Sequence, residues 1–294
     1  MAEQGIGLVP LDGSGTAEQV LPWARTMAEK LGMRLVFLEM VREAWPGGNE
    51  KAEAALKAAM NYLNGVKATQ PATVPIELRA LPSQEDVATG IAAAAAEMDA
   101  DMILIATHGR SGPRRWVMGS VAEDVVRSAA CAVFVVRGET ATPPSGDRTV
   151  RRVLVTLDGS VTAEVALEQA RRIADAYGAT LDLLQVVPWS AMMYAAPTEI
   201  YLPEGLDEQL EKGADDYLRG VQERLPAGVI SERHVIRGSA ADGIIDHAQD
   251  TGADLVVMST HGRSGIARWA LGSVAERVLR AGPRPVLLVR SVEE

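Results

Sequence analysis

Two stretches of the chain carry residues that could hold an anion, and they are near copies of one another. Thr107–Arg127 reads THGRSGPRRWVMGSVAEDVVR and Thr260–Arg280 reads THGRSGIARWALGSVAERVLR, identical at fifteen of twenty-one positions at a fixed offset of 153. Each holds a His-Gly-Arg (His108, Gly109, Arg110; His261, Gly262, Arg263) and then a Gly-Ser-Val (Gly119, Ser120, Val121; Gly272, Ser273, Val274). Glycines let an anion come close to the backbone, and a helix N-terminus offers unpaired N–H groups with partial positive charge. Arg114, Arg115 and Arg268 add full charge to the same loops. The chemistry this pattern suits is phosphate binding. A plainer use is also open, with the glycines as turns, the serines as helix caps and the arginines solvated. Duplication of the whole pattern favours binding, because a mere turn is free to drift in sequence.

Elements that position these loops can be read on either side of them. Met102–Ala106 and Leu255–Ser259 are apolar on both faces, as strands inside a parallel sheet should be. Downstream, Ser120-Val-Ala-Glu123 and Ser273-Val-Ala-Glu276 read as capping boxes that open helices. Each half also begins with an apolar strand ending in a carboxylate, Gly5 to Asp12 and Arg152 to Asp158, followed by Gly-Ser, here at an offset of 146. Asp12 and Asp158 are either ligand-facing or simply strand-end turn formers.

Between these landmarks helices are predicted at 16–31, 50–67, 83–98, 162–177, 204–225 and 239–251, the first opening on a Thr16/Gln19 box. Strands are predicted at 34–41, 74–80, 133–137, 180–187, 231–237 and 285–290. The second half carries seven extra residues between its landmarks, placed in the Pro- and Met-containing connection 188–204. Each half thus alternates five strands with helices, which implies an α/β fold with a parallel sheet covered on both faces. In such sheets ligands bind at the carboxyl ends of strands where strand order reverses. Asp12 and the Gly109 loop share that crevice if the first and fourth strands are neighbours.

The chain of 294 residues suits two domains, and the repeat places them at 1–138 and 151–294 with a Pro/Gly/Ser linker at 139–150. A hydrophobic share of 47% and a charged share of 23% fit a soluble globular protein. A net charge of −10 argues against general affinity for nucleic acid or anionic membranes. No apolar run is long enough to span a bilayer, and the N-terminal residues do not read as a signal peptide. With the single Cys131, no internal disulfide is available and a cytoplasmic location is expected.

These motifs resemble the universal stress protein family in its tandem form, over nearly the whole chain. Nucleotide-binding members carry Gly-x-x-Gly-x9-Gly-Ser/Thr after the fourth strand of a 3-2-1-4-5 sheet. His108-Gly109, nine residues, Gly119-Ser120 and His261-Gly262, nine residues, Gly272-Ser273 match its later elements. The first glycine is replaced by Ala106 and Ser259. That departure costs on the order of 1 to 2 kcal/mol if the position is left-handed and almost nothing if it is extended; continuation of the apolar strands favours extended.

The resemblance implies two open five-stranded sheets of the Rossmann-like, adenine nucleotide alpha hydrolase-like class. It implies ATP as ligand, with Mg²⁺ or else Mn²⁺ riding on the phosphates. Asp12 and Asp158 would contact the adenosine part, backbone at Met40 and Val186 the adenine edge, and the glycines and serines of both loops the phosphates. It also implies pairing of the two domains within the chain through their last strands, with homodimerisation of whole chains a further expectation. Function is expected to be that of a regulatory or protective stress-response module with at most slow hydrolysis. A nucleotide-free scaffold is the alternative. A true ATP-using enzyme is less supported, since no Gly-x4-Gly-Lys-Ser/Thr loop and no evident base are present.

Overall fold

The computed structural model describes residues 4–42, 49–83, 86–107, 118–137, 150–189, 205–260 and 271–290. The chain divides into unit 1, Met1–Ser145, and unit 2, Gly146–Glu294. In unit 1 the elements are β1 Ile6–Pro10, α1 Leu21–Leu31, β2 Arg34–Arg42, α2 Asn49–Ala68, β3 Ile76–Ser83, α3 Val87–Glu97, β4 Met102–Ala106, α4 Ser120–Ser128 and β5 Ala132–Val136. Unit 2 has β6 Arg152–Leu157, α5 Val161–Tyr177, β7 Thr180–Val187, α6 Leu206–Glu223, β8 Ser231–Arg237, α7 Ala240–Asp250, β9 Leu255–Ser259, α8 Ser273–Ala281 and β10 Val286–Val289.

Strand order in unit 1 is β3-β2-β1-β4-β5, and in unit 2 it is β8-β7-β6-β9-β10. All the pairings within each unit are parallel. This is the expected 3-2-1-4-5 order, twice. The centre strands β1 and β6 are where order reverses, so a crevice must open at their carboxyl ends. Leu8, Val36, Phe37, Ile103 and Leu104 in unit 1, and Val153, Leu154, Leu181 and Val257 in unit 2, have no exposed surface. Burial on both faces is what their unbroken apolar runs require.

Aspartates fix where the centre strands begin. Asp101 accepts the Ile6 N–H at 2.7 Å, and Asp254 accepts the Arg151 and Arg152 N–H groups at 2.8 and 3.2 Å. At the far ends of α1 and α5, Gly32 and Gly178 take left-handed caps with φ of 66° and 65°, a conformation that penalises any side chain.

Several local expectations are corrected. Residues 17–20 form a 3₁₀ turn before α1, and Thr16 makes no side-chain cap; the Ala17 N–H goes instead to Ser14 Oγ at 3.1 Å. β3 runs through Ser83 because β2 continues to Arg42 and pairs with it, Met40 with Leu81 and Arg42 with Ser83. The cap of α3 is consequently Asp86, which accepts the Thr89 N–H at 2.9 Å.

Candidate functional site: paired clefts at the strand switch points

Each centre strand ends in a turn built by its aspartate. Asp12 Oδ1 accepts the Ser14 N–H at 3.0 Å and the Ser14 hydroxyl at 2.6 Å. Asp158 Oδ1 does the same with Ser160, at 3.0 and 2.5 Å. Between them, Gly13 and Gly159 sit at φ of 80° and 84°, the left-handed region where glycine is the low-cost residue. Both aspartates are therefore turn formers, as the plainer reading had it. Both also stand on the wall of a cleft.

The cleft of unit 2 has a volume of about 340 Å³. Asp158, Val186, Ser259, Gly272, Ser273 and Val274 line it together with Gln185, Ile244 and Met258. That of unit 1, also about 340 Å³, is lined by Asp12, Met40, Ala106, Gly119 and Val121, with Arg42, Ile91 and Ile105. Ser120 is exposed at the helix start but is not part of that wall. His108, Gly109, Arg110, His261, Gly262 and Arg263 lie outside the described residues, as do Trp45, Trp116, Trp269 and the Met192-Met193-Tyr194 run.

At the motif's first position, Ala106 and Ser259 end strands, paired with Val136 and Val289. Asp99 is the one non-glycine residue with positive φ among the described residues. Replacing glycine by Ala106 and Ser259 thus carries no left-handed strain.

The capping boxes are not formed. Gly119 and Gly272 are the N-caps of α4 and α8, extended at ψ of 141° and 144°, with no side-chain cap. Their carbonyls accept the N–H groups of Glu123 and Glu276 at 3.0 and 2.9 Å. Ser120 and Ser273 fall one position later and open the helix, where the hydroxyl does not cap. The Gly272 N–H is given to the Thr260 carbonyl at 2.9 Å. In α8 the donors facing the cleft are therefore those of Ser273, Val274 and Ala275, which an α-helix leaves without internal partners.

Sequence reasoning missed two features that flank the clefts. Gly90 and Gly243 lie inside α3 and α7, and a Cβ there would strike Met40 in unit 1 and sit 3.1 Å from both Val186 methyls in unit 2. The helices can approach β2 and β7 at these residues because the glycines lack side chains. A glycine recurring inside two predicted helices at the same offset was the available signal.

The second feature is the residue at position 39 in unit 1 and 185 in unit 2. Glu39 has its pKa raised, by burial first and by the Asp12 charge second; its Oε2 is buried with no hydrogen-bond partner. Gln185 takes the same place in unit 2 without a charge. Near each centre strand's turn, Tyr62 donates to Glu18 and Tyr217 to Glu164, both at 3.0 Å. Burial, then that carboxylate, raises each phenol's pKa, so these tyrosines act as neutral braces.

Apolar walls, a carboxylate on one side of the switch point and bare helix amides on the other define an α/β protein with two clefts of small-molecule size. The universal stress protein family model matches residues 8–137 and 149–290. A universal stress protein of Mycobacterium tuberculosis is 33% identical over 197 residues, which is 65% of this chain and 62% of that relative's length. A relative from Mycolicibacterium smegmatis is 28% identical over 305 aligned residues, covering 98% of this chain and 97% of its own. Among solved structures, a universal stress protein from Archaeoglobus fulgidus matches with a TM-score of 0.74 at 20% identity, over 97% of this chain and 98% of that one. The chain belongs to the universal stress protein family, in tandem form. No helix among the described residues is long and apolar enough to cross a membrane.

Proposed function

We propose that both clefts bind adenine nucleotide, ATP with Mg²⁺, and that the chain works as a regulatory or protective binding module with at most slow hydrolysis. The observation that carries this reading is convergence in unit 2. Asp158, Val186, Ser259 and the first turn of α8 come from four distant parts of the sequence and line one cleft of about 340 Å³. That volume is at the lower end of what ligand pockets span, roughly 300 to 1,000 Å³, and suits a nucleoside held inside with its phosphates at the mouth.

Roles follow from position. The α4 and α8 amides face negative charge, with the helix dipole adding to the attraction. Asp12 and Asp158 each spend Oδ1 on the turn, and the carboxylate as a whole is suited to ribose hydroxyls. Ile244 and Met258, or Ile91 and Ile105, give an apolar bed for the base. Among the described lining residues each cleft presents one carboxylate. A Mg²⁺ ion would therefore take most of its oxygens from phosphates and water, which is its usual habit. Three or four charge-assisted contacts at about 1.5 to 3 kcal/mol each reach micromolar affinity, near −8 kcal/mol.

Equilibrium dialysis of ATP with Mg²⁺ against nucleotide-free protein tests the reading. Saturable binding of two nucleotides per chain is expected. Absence of saturation at millimolar ATP would remove it and leave the nucleotide-free scaffold.

A further inference from the structure

Unit 2 buries a carboxylate that unit 1 does without. Asp182, in β7, has no exposed surface, and at the matching position of unit 1 stands Val36, buried just as fully. Two histidines converge on it. His247 of α7, only 8% exposed, places Nε2 3.0 Å from Asp182 Oδ2. His234 of β8 places Nε2 3.5 Å from Oδ1. The two rings lie 4.7 Å apart, centroid to centroid. In unit 1 the matching residues are Arg79, opposite Leu38 as His234 is opposite Leu184, and Ala94. Where unit 2 has Asp182 and His247, unit 1 has the apolar Val36 and the small Ala94, and its Arg79 turns to Glu77, 2.7 Å away, so the polar trio is an addition to the fold and not a need of it.

Internal pairing satisfies the trio only in part: His247 Nε2 and Asp182 Oδ2 share a hydrogen bond at 3.0 Å. Asp182 Oδ1 and His234 Nε2 are both buried without a hydrogen-bond partner, although they face each other. Buried polar atoms are normally partnered, and exceptions ask for a missing group. Arg152 does not supply it. Its Nη1 is 2.6 Å from Glu232 Oε2 and 3.3 Å from Asp182 Oδ2. Its charge is matched first by Glu232, which leaves Asp182 to attract another cation.

A metal ion accounts for all of these facts together. Zinc bonds to nitrogen and oxygen are about 2.0 to 2.1 Å long, so neighbouring donors on a tetrahedral ion sit about 3.3 Å apart. The two nitrogens face different oxygens of the carboxylate, His247 3.0 Å from Oδ2 and His234 3.5 Å from Oδ1, each close to that value, and one ligand atom from each of the three residues lies within 4.8 Å of the others. Two imidazoles and one carboxylate suit a divalent transition metal better than Mg²⁺ or Ca²⁺, which prefer oxygen. His234 keeps 38% of its side chain exposed, which provides a way in.

We propose that Asp182, His234 and His247 form a binding site for a zinc-class divalent metal ion in unit 2, with Arg152, anchored on Glu232, orienting the Asp182 carboxylate. The site is separate from the cleft, although α7 carries His247 and also lines the cleft through Ala240 and Ile244.

The test is titration of the metal-stripped, nucleotide-free full chain with Co²⁺ and then Zn²⁺, reading Co²⁺ d–d absorption and the histidine ring resonances. With four histidines in the chain, His234 and His247 can be assigned individually. One tight ion per chain is expected, with both of these rings shifted. Outer-shell changes alone weaken metal sites roughly 10- to 100-fold, so His234→Ala and His247→Ala should each lose at least about that much. A triple variant with the unit 1 residues, Asp182→Val, His234→Arg and His247→Ala, should fold and bind no ion at this site. The proposal is overturned if the unmodified chain shows no saturable Co²⁺ or Zn²⁺ binding. It is equally overturned if the His234 and His247 rings stay unshifted on addition of Zn²⁺, or if the triple variant binds as tightly as the original.

Discussion

At the ends of β2 and β7 the two units diverge. Unit 1 has Glu39 and Arg42 where unit 2 has Gln185 and Pro188, and deeper in the unit it has Val36 and Ala94 where unit 2 has Asp182 and His247. Unit 1 also packs Trp23 against Phe134, ring centroids 5.4 Å apart, where unit 2 has Gln169 and Leu287. Strand order, the glycine turns after β1 and β6, and the starts of α4 and α8 are otherwise the same. Because the backbone plan is held fixed, these exchanges isolate what side chains add. Unit 1 gains stability from an aromatic core and carries extra charge at its cleft. Unit 2 has a neutral residue beside its cleft and buries a polar cluster instead.

The largest break in this comparison should come from Trp23→Ala. Trp23 is 1% exposed, and emptying such a site costs about 3 to 5 kcal/mol. Thermal unfolding should then separate into two steps, with unit 1 melting first. Gln169→Ala, half-buried in unit 2, should shift melting far less.

Next in size is the carboxylate of each cleft. Asp12→Asn and Asp158→Asn keep an oxygen for the Ser14 and Ser160 turn but remove the charge. If that charge holds a ribose hydroxyl, each change costs about 1.5 to 3 kcal/mol of binding, a tenfold loss or more. Calorimetric titration of ATP should show one site weakened in each single variant and both in the double.

Smaller effects come from the two helix glycines. Alanine favours a helix over glycine by about 1 kcal/mol. In unit 1 the atom that a new Cβ meets is the end of the flexible Met40 side chain, whereas in unit 2 it meets both branches of Val186 at 3.1 Å. Gly90→Ala should therefore stabilise its unit, while Gly243→Ala gains nothing and moves Val186 in the cleft. Denaturant unfolding of the two variants should differ by about 1 kcal/mol.

The smallest effect is a pH dependence confined to unit 1. Glu39 has a folded-state pKa above its ordinary value, so the folded state holds that proton more tightly than the unfolded chain. Its stabilising contribution is complete below the ordinary carboxylate pKa and disappears as pH rises through the raised one. Glu39→Gln, the unit 2 residue, should remove this slope and strengthen nucleotide binding to unit 1 at neutral pH. Melting temperatures of both proteins across the mildly acidic range would show it.

Much of this architecture was legible in the residues. The unbroken apolar runs at Met102–Ala106 and Leu255–Ser259 marked the inner strands, and the duplicated Asp-Gly-Ser and Gly-Ser motifs marked both walls of each cleft. What escaped was set by tertiary contact. β3 outran its predicted end because β2 offered partners as far as Arg42. Ser120 and Ser273 looked like caps because a hydroxyl followed by Glu three residues later is the usual sign, yet the preceding glycines already took the extended cap conformation. Asp182, His234 and His247 are 52 and 13 residues apart in sequence, and nothing local announces that a strand pairing and one helix turn bring them together. Cys131 lies just before β5, the pKa of its thiol pushed up to about 11 by burial.

Amide hydrogen exchange, followed residue by residue with and without saturating ATP and Mg²⁺, tests most directly whether the helix starts hold the nucleotide phosphates. The expected result is slowed exchange at Ser120 and Val121 and at Ser273, Val274 and Ala275, with the far ends of α4 and α8 unaffected. Unchanged exchange at both helix starts while nucleotide is bound would contradict the account, because the phosphates would then be held elsewhere.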